Sequence, residues 1–334
     1  MPRFSVIITA YNRKKYILYA VQSILNQSFP REQVEVIVVK NFRDDVIDEF
    51  LTGNEIISYY ETSIFWNRTI QEAIGAAKGE IISFLDDDDY FSPKKLEVID
   101  RIFSSGEIVF CKDSIIPVEE SGKIKENYKD DRDELDYFYL DDIGEFHGKK
   151  GFLSFFNSSS MTIYGEVFKA RLEILNKESE EEGCRYAMDN FICFTGVESG
   201  KCVVIPEKLT YYRHHADQLT LGEINLTDYN EKKIALEAAY NTSYSIMLKA
   251  FKSQVIREKL ATMQIQSGLQ VLLLSPDHVK SLPLQIRSAL IDYFRNYDAF
   301  TLVLLFMYYI SLFSKKMAIN IYRILLSRVQ RKLN

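Results

Sequence analysis

One short stretch constrains the fold of this chain more than any other: an apolar run that ends in four consecutive acidic residues. The run is Ile81–Leu85, and it is followed directly by Asp86, Asp87, Asp88 and Asp89. Its length and composition are typical of a short buried strand. The four carboxylates are therefore expected at the carboxyl end of that strand, where ligands of open α/β sheets collect.

Four adjacent carboxylates repel one another, so the cluster favours a bound cation. Hard oxygen ligands suit Mg²⁺ or Mn²⁺, and these ions usually complete their coordination with water and phosphate oxygens. The sequence therefore predicts a divalent metal that holds the diphosphate of a nucleotide. The alternative is an acidic turn that is merely solvated, and the apolar run before it argues against that interpretation.

Strand and helix patterns alternate around this stretch. Strand patterns cover residues 4–9, 34–39, 56–60, 81–85, 108–111 and 201–205, and helical patterns cover 17–25, 45–51 and 67–78, the last ending at Gly79 as a C-cap. Strands that alternate with helices pair in parallel through right-handed crossovers. We therefore predict an α/β fold with a doubly wound, mixed but mainly parallel sheet, flanking helices and a C-terminal helical region.

The residues at the ends of these strands resemble those of a known family. Ser5–Asn12 (SVIITAYN), Val36–Val39 (VIVV) and the segment from Gln71 to Asp89 look like the motifs of the GT-A-fold family 2 glycosyltransferases. The resemblance is close over residues 4–96 and looser to about residue 220. It implies a GT-A (Rossmann-like) fold. It also implies an inverting enzyme that transfers a sugar from a nucleotide diphosphate sugar, a UDP- or GDP-sugar, to a hydroxyl acceptor.

The resemblance also implies roles for particular side chains. The end of the first strand would hold the base and ribose, and the acidic residue that matches Asp189 would be the catalytic base, with an N-cap role as the alternative. The implied nucleotide-sugar ligands are Thr9, Ala10, Tyr11, Arg13, Asn41, Gln71, Asp86, Asp87 and Arg213; the metal ligands are Asp88 and His215; the acceptor contacts are Ser158, Ser159 and Ser160.

Three positions depart from the family pattern. Lys40 and Asn41 follow the second strand, where an acidic residue often binds the base; Gln71 replaces an asparagine; Met188 replaces an acidic residue. These departures leave open a degenerate glycosyltransferase that acts as a binding or scaffold subunit. A sugar nucleotidylyltransferase is the other alternative, but it would need a glycine-rich loop after the first strand, and Ala10–Lys15 contains no glycine.

Several segments allow two interpretations. Residues 119–145 are dense in charge and fit either a solvated insertion or a lid over the acceptor. The serines at 158–160 fit an acceptor contact or a plain loop, and the His214-His215 pair fits the donor site or the surface. The four cysteines lack metal-ligand spacing and indicate reduced thiols in a cytosolic compartment; we also expect no secretory leader at the N-terminus.

The C-terminal third has patterns of a different kind. Residues 228–294 are helical in pattern, and we therefore divide the chain into a GT-A domain at 1–222, a helical extension at 223–296 and membrane-associating helices at 297–334. Residues 299–313 are uncharged, but at 1.5 Å per residue they reach only about 22 Å, less than the ~30 Å of a bilayer core. Residues 317–329 have the basic amphipathic pattern of helices that lie in a membrane interface.

Charge is distributed unevenly along the 334 residues. The net charge is −6, whereas residues 314–334 carry six basic side chains and no acidic one, so residues 1–313 carry −12. This distribution argues against nucleic acid as the main partner and favours an anionic membrane surface. We therefore expect peripheral or monotopic attachment to the cytoplasmic face of the cell membrane, and a lipid-linked glycan or polyprenyl carrier as acceptor. The alternative for the apolar segment is a buried hairpin or a homo-oligomer contact.

Overall fold

The strand patterns of the sequence form one mixed sheet in the computed structural model of the chain. The order of its strands is β3-β2-β1-β4-β8-β6-β9-β5, and β7 pairs with β9. The strands are β1 (Phe4–Ala10), β2 (Val34–Lys40), β3 (Ile57–Tyr60), β4 (Ile81–Asp86), β5 (Tyr90–Phe91), β6 (Ile108–Val118), β7 (Asp136–Phe138), β8 (Met161–Tyr164) and β9 (Lys201–Arg213).

Helices flank this sheet and continue after it. Two short 3₁₀ turns lie at Arg31–Gln33 and Ser158–Ser160. The α-helices are α1 (Ile17–Leu25), α2 (Asp45–Gly53), α3 (Trp66–Thr69), α4 (Gln71–Ala76), α5 (Lys95–Phe103), α6 (Gly165–Glu178), α7 (Met188–Ser199), α8 (Tyr229–Ala250), α9 (Gln254–Leu274) and α10 (Ala299–Ser311).

The structure describes most of the chain, and its residues group into two units. The described residues are 1–104, 106–125, 136–138, 157–179, 183–215, 229–274, 299–311, 313–314, 317–318 and 321. One unit comprises Met1–Gly183 and Ala187–Gln218, and the other comprises Cys184–Tyr186 and Leu219–Asn334. The expected boundaries at residues 222 and 296 stay predictions. Most of the basic pattern at 317–329 and most of the charged segment at 119–145 lie outside the described residues.

The alternation of strands and helices has the expected consequence for pairing. Strands β3, β2, β1 and β4 are all parallel to their neighbours. The sheet becomes mixed beyond β4, because β8 runs antiparallel to both β4 and β6, while β6 and β9 are parallel. The predicted α/β class with a mixed sheet and flanking helices is confirmed.

The register of the parallel strands brings three loops to one edge of the sheet. Thr9 of β1 pairs with Asp86 of β4, and Ala10 pairs with Lys40 of β2. The loop after β1, the loop after β2 and the acidic run therefore start side by side, at the carboxyl edge where ligands of such sheets bind.

The first unit has its core on both faces of the central strands. Apolar side chains of β1, β2 and β4 are almost fully buried, and on one face they pack against the apolar stripe of α1. On the other face Phe84, Phe168 and Phe191 contact one another edge to face, with ring centroids 5.0 and 5.8 Å apart. This packing explains why the central strands are mostly apolar on both faces.

Three elements differ from the sequence-based expectation. The helix expected at 67–78 is divided into α3 and α4, and its C-cap is Ala77, not Gly79. Strands β6 and β9 extend well beyond 111 and 205, because their second halves pair with each other as far as Val118 and Arg213. This extension carries Arg213 and the following His215 to the edge of the sheet that holds the acidic run.

The second unit is helical in its described part. Helices α9 and α10 pack through Leu269, Leu273, Leu304 and Met307, which are almost fully buried. Within the described residues, no helix combines the length and the apolar character that crossing a membrane requires.

Candidate functional site

The four aspartates form a tight turn at the end of β4, which we call the acid run (Asp86–Asp89). The backbone N–H of Asp89 donates to the carbonyl of Asp86, and that of Asp87 donates to the carbonyl of Thr9, both at 3.2 Å. Asp87, Asp88 and Asp89 are buried, whereas Asp86 is half-buried. Buried carboxylates need hydrogen-bond donors or counter-charges, and each member of the acid run has a specific set of them.

Asp89 is held by three donors. The side-chain amide of Asn157 and the hydroxyl of Ser159 donate to Oδ2 at 2.9 and 2.6 Å, and the backbone N–H of Arg213 donates to Oδ1 at 3.0 Å. Burial, reinforced by the charges of Asp88 and Asp86, raises the pKa of Asp89 well above its usual range. Asp89 therefore ties the acid run to β9 and to the serine turn (Ser158–Ser160).

Asp86 is the member of the acid run nearest to solvent. The hydroxyl of Ser158 lies 3.1 and 3.0 Å from its two carboxylate oxygens, and its own N–H donates to the hydroxyl of Ser159 at 3.0 Å. Burial and the charge of Asp88 raise the pKa of Asp86 to about 6, against the lowering effect of the Ser158 hydrogen bond.

Asp87 and Asp88 share the guanidinium of Arg13. Nη2 of Arg13 lies 2.5 Å from Asp87 Oδ1, and Nη1 lies 2.5 Å from Asp88 Oδ2. Nε2 of His215 contacts the same oxygen of Asp88 at 2.9 Å. Burial raises the pKa of Asp87 to about 7 although Arg13 opposes the shift. For Asp88 burial also opposes ionisation, but the His215 hydrogen bond and the charge of Arg13 outweigh it and lower the pKa.

The acid run fits a divalent cation. Asp86, Asp88 and Asp89 each offer a carboxylate oxygen, and these oxygens all lie within 4.8 Å of one another. Such a set of hard oxygen donors suits Mg²⁺ or Mn²⁺. Asp88 was predicted as a metal ligand, whereas Asp89 was missed although it belongs to the same run. His215 lies beside the cluster through its contact with Asp88.

Arg213 is buried and contacts the backbone on both sides of the site. Its Nε donates to the carbonyl of Asp88 at 2.9 Å, and Nη1 donates to the carbonyl of Glu120 at 2.7 Å. The guanidinium also lies over the ring of Tyr16, 4.8 Å from its centroid. Arg213 therefore orders the acid run, and its contact with a nucleotide sugar stays a prediction.

The loop after β1 is fixed by an amide pair. Asn41 accepts a hydrogen bond from the backbone N–H of Asn12 at 2.7 Å and donates to the side chain of Asn12 at 2.8 Å. Asn12 has a φ of 60°, a left-handed conformation that asparagine tolerates better than most residues. Tyr11 is exposed beside it, next to Thr9 and Ala10 at the end of the strand. Thr9 pairs with Asp86 at the start of the acid run. The expected contacts of Thr9, Ala10, Tyr11 and Asn41 with a nucleotide sugar stay predictions.

Lys40 and Gln71, two of the positions that depart from the family pattern, contact other parts of the protein than the acid run. Lys40 is buried, and its ammonium lies 2.8 Å from both the carboxylate of Asp48 and the carbonyl of Phe42. Gln71 begins α4 on the surface and lines a polar cavity of about 340 Å³ together with Arg68 and other side chains. The residues that line this cavity do not include the acid run, and the role of Gln71 in binding a sugar nucleotide stays a prediction.

Asp189 lies in the first turn of α7. The cap position belongs to Ala187, whose φ of 70° is left-handed, so Asp189 is not the N-cap. Its carboxylate accepts from the N–H of Asn190 at 2.9 Å. Burial raises the pKa of Asp189 to about 6, and its charge in turn contributes to the raised pKa of Asp86. The backbone N–H of Asn157 interacts with the Asp189 carboxylate, and the side chain of Asn157 contacts Asp89, so Asp189 lies close to the acid run although about 100 residues separate them in sequence.

The serine turn donates hydrogen bonds to two carboxylates of the acid run. Ser159 and Ser160 are fully buried. The hydroxyls of Ser158 and Ser159 contact Asp86 and Asp89, and that of Ser160 donates to the carbonyl of Asn157 at 2.8 Å. The expected contacts with an acceptor stay predictions for these three residues.

A buried ion pair below the serine turn was missed by the sequence analysis. Lys95 and Asp113 are fully buried, and their charged atoms lie 2.7 Å apart. The sequence does not indicate that Lys95 is buried, because Lys95 follows another lysine at the start of a helical pattern. For Asp113 the sequence does contain an indication, because Lys112 and Asp113 interrupt an apolar strand pattern. Charged residues inside such a strand indicate a buried polar network.

Comparison with known proteins identifies the family. Residues 5–163 match the family model described as glycosyl transferase family 2. The chain carries a family 2 glycosyltransferase domain. A glycosyltransferase of Haemophilus influenzae is 25% identical over 333 residues, 96% of this chain and 95% of the relative. Another, from Nostoc sp., is 23% identical over 239 residues, 69% of this chain and 70% of the relative. Both are uncharacterised.

One relative has a named activity and a solved structure. The poly(ribitol-phosphate) β-N-acetylglucosaminyltransferase TarS of Staphylococcus aureus is 32% identical over 103 residues, 29% of this chain but only 18% of TarS. A crystal structure of TarS with UDP-GlcNAc matches 87% of this chain and 80% of the solved chain, with a TM-score of 0.57 and 16% identity. A likeness at this identity concerns the fold, so the glycosyltransferase domain has the GT-A fold that the sequence predicted.

Proposed function

We propose that this glycosyltransferase inverts the anomeric centre as it moves a sugar from a nucleotide diphosphate sugar to an acceptor hydroxyl. The main support is the position of Asp189: the backbone N–H of Asn157 interacts with its carboxylate, and the side-chain amide of the same Asn157 donates to Asp89 of the acid run at 2.9 Å. Direct displacement needs such an arrangement, in which one group of carboxylates serves the leaving diphosphate and a separate carboxylate serves the attacking hydroxyl.

The acid run would hold the metal and, through it, the diphosphate. Asp86, Asp88 and Asp89 are the residues that would bind Mg²⁺ or Mn²⁺. When bound, the ion supplies positive charge that stabilises the leaving diphosphate. Arg13 and His215 keep Asp88 ionised, because both contact its carboxylate and lower its pKa. Asp88 is therefore negatively charged at neutral pH, and a bound cation would also favour the ionised forms of Asp86 and Asp89.

Asp189 would act as the general base. With a pKa of about 6 it is mostly ionised at pH 7, yet it is basic enough to accept a proton. Its carboxylate takes the proton of the acceptor hydroxyl while the hydroxyl oxygen forms a bond to the anomeric carbon. The bond from that carbon to the diphosphate oxygen breaks on the opposite face, and the electron pair leaves with the nucleotide diphosphate. One displacement inverts the configuration and forms no covalent intermediate with the protein.

For the donor we propose a UDP-sugar ahead of a GDP-sugar, and a hexose as the transferred group. The support is the shared fold with TarS, which has been crystallised with UDP-GlcNAc and with UDP. In this chain the loop after β1 and Asn41 lie where the base and ribose are expected. Tyr11 is the exposed aromatic side chain at that loop and offers a surface for stacking against a base.

For the acceptor we propose a lipid-linked glycan or polyprenyl carrier at the cytoplasmic face of the membrane. The six basic residues of positions 314–334 support this, because they favour an anionic lipid surface. Helix α10 adds an exposed apolar face at the start of that region, formed by Leu302, Val303, Phe306 and Tyr309. Vesicle flotation tests this part: the full chain should float with anionic vesicles, and a chain that ends at residue 296 should not.

Calorimetric titration with nucleotides tests the catalytic proposal. UDP, GDP, CDP and dTDP are titrated separately into the protein, each with and without Mn²⁺. We expect binding of UDP that depends on Mn²⁺ and is lost in Asp88→Ala. If no diphosphate binds, the proposal is wrong.

NMR of the reaction product tests the proposed inversion. An α-linked donor should give a β-linked product, and an α-linked product would exclude direct displacement.

A further inference from the structure

The buried ion pair of Lys95 and Asp113 lies directly below the serine turn. The ammonium of Lys95 is surrounded by three oxygens, each at 2.7 Å: Oδ2 of Asp113, the carbonyl of Ser159 and the hydroxyl of Thr210. Thr210 in turn donates to Oδ1 of Asp113 at 2.6 Å. We call these three side chains, Lys95, Asp113 and Thr210, the buried network. It joins the start of α5 to β6 and β9.

Ser159 connects the buried network to the acid run. Its carbonyl accepts from Lys95, whereas its hydroxyl donates to Asp89 at 2.6 Å and accepts the N–H of Asp86 at 3.0 Å. One residue therefore contacts Lys95 through its backbone and two of the proposed metal ligands through its side chain. A shift of the Ser159 backbone would move both contacts with the acid run.

Stability alone does not explain such a pair. Two charges lose their hydration when they are buried, and apolar replacements of similar size often leave stability unchanged or raise it. Burial lowers the pKa of Lys95 and raises that of Asp113, and the charge of each partner opposes the shift of the other. What an ammonium offers here, and an apolar side chain does not, is a rigid contact with three oxygens from three elements of the fold.

We propose that Lys95 is a positioning residue of the metal site. With Asp113 and Thr210 it fixes the serine turn, so that Asp86 and Asp89 present their carboxylates to the cation. Lys95 itself contacts neither the metal nor the substrate. This inference rests on the proposed function, because the metal and the nucleotide diphosphate are the ligands that the acid run would hold.

The test is a calorimetric titration of the full chain with Mn²⁺ in the presence of UDP. The double variant Lys95→Met with Asp113→Leu removes both charges and leaves no buried charge unpaired. We expect Mn²⁺ affinity to fall by about 10- to 100-fold, as for other residues that orient metal ligands. We also expect the melting temperature to change little. Unchanged Mn²⁺ affinity in the folded double variant would overturn the inference.

Substitutions of Thr210 test the same inference without changing any charge and without the double variant. Thr210→Val keeps the shape but removes the hydroxyl, and we expect weaker Mn²⁺ binding; Thr210→Ser restores the hydroxyl and should restore the affinity. If both variants bind Mn²⁺ as the unaltered chain does, the network does not position the acid run.

The control is a buried hydroxyl at the opposite end of the sheet. Ser5 contacts Glu35 at 2.6 Å and accepts the N–H of Gly79 at 2.8 Å, so Ser5→Ala should lower stability without changing Mn²⁺ affinity. An equal loss of affinity in Ser5→Ala would indicate general destabilisation and would contradict a positioning role. If the unaltered chain binds no Mn²⁺ with UDP, the proposed function itself fails, and this inference fails with it.

Discussion

Nη1 of Arg13 lies 2.5 Å from Oδ2 of Asp88, and the same guanidinium contacts Asp87 through Nη2. Burial lowers the pKa of Arg13, but the charges of Asp87 and Asp88 outweigh it and raise that pKa above its usual value. Arg13 therefore supplies a permanent positive charge to two of the four aspartates. A divalent cation at the acid run would supply charge of the same sign to the same carboxylates.

This relationship predicts that Arg13→Gln is destabilised in a way that Mn²⁺ corrects. Removing the guanidinium takes one of two partners from Asp88, which is buried and ionised. We expect a loss of about 3 kcal/mol, the lower end of the range for breaking a buried ion pair, because Arg13 is partly exposed. Saturating Mn²⁺ and UDP should reduce the difference, since the ion restores positive charge beside Asp88. Urea denaturation with and without both ligands measures the effect.

Lys14→Gln is the matched control for Arg13→Gln. Lys14 is the next residue in the chain, and its ion pair with Asp44 at 3.1 Å is largely exposed. Exposed ion pairs contribute little to stability, so this variant should stay close to the unaltered protein with or without Mn²⁺. Equal losses in the two variants, or a loss in Arg13→Gln that Mn²⁺ does not reduce, would contradict the explanation.

The parts of the site that the sequence predicted are those with a local pattern. The acid run follows a mostly apolar strand, and the parallel register then places it beside Thr9 without further information. The GT-A fold could also be predicted from local patterns, because strands and helices alternate in a simple order. The role of Asp189 could be predicted only from the resemblance to the family, since nothing in the neighbouring sequence relates it to residues about 100 positions earlier.

The parts that the sequence missed depend on packing between distant segments. Asp89 and Asp88 are adjacent and chemically identical, and only the fold decides that Asp89 accepts from Asn157, Ser159 and Arg213. Lys95 looks like a surface residue in a helical pattern, yet it is fully buried. Burial of a lysine requires oxygens that arrive from three separate elements, and no short segment of sequence contains that information.

The contact between Ser158 and Asp86 leads to a second prediction. Loss of the Ser158 hydroxyl in Ser158→Ala should raise the pKa of Asp86 above about 6, because that hydrogen bond lowers it. At pH 7 a larger fraction of Asp86 is then protonated, and a protonated carboxyl is a poor metal ligand. We expect Mn²⁺ affinity in the presence of UDP to fall about tenfold, as for loss of a hydrogen bond to a charged group. The fall should shrink at pH 8.

Ser160→Ala is the control for Ser158→Ala. The hydroxyl of Ser160 donates to a backbone carbonyl and belongs to the same turn. We expect it to lower stability slightly and to leave Mn²⁺ affinity unchanged. If both alanine variants lose affinity to the same extent at every pH, the effect comes from the turn as a whole and not from the hydrogen bond to Asp86.

The raised pKa of Asp189 predicts how transfer depends on pH. A general base must be ionised, so kcat/KM should rise with pH and level off above about 6. The effect on stability has the opposite sign. The pKa of Asp189 in the folded protein, about 6, lies above the ordinary value of an aspartate. This group therefore stabilises the folded protein at low pH and loses that contribution as the pH rises through about 6.

Asp189→Asn separates the two effects. Transfer should fall by about 10² to 10⁴-fold, whereas calorimetry should find unchanged binding of UDP with Mn²⁺. Stability at pH 7 should not fall, because the amide removes a buried charge. Glu49→Gln makes the same chemical change at an exposed position and should affect neither property. Retained transfer in Asp189→Asn would exclude it as the base, and weaker UDP binding would indicate a role in the donor site.

Gly79 shows how closely β4 approaches β1 just before the acid run. A Cβ atom at Gly79 would lie 2.3 Å from the backbone nitrogen of Ser5, whereas one at Gly75 would meet nothing within 4 Å. We therefore expect Gly79→Ala to destabilise the domain by about 1–3 kcal/mol or more, because backbone must move. Gly75→Ala in α4 should stabilise it by about 0.4–1 kcal/mol, since alanine favours the helix. Urea denaturation of both variants tests this difference, and similar midpoints would mean that the two strands tolerate a wider separation.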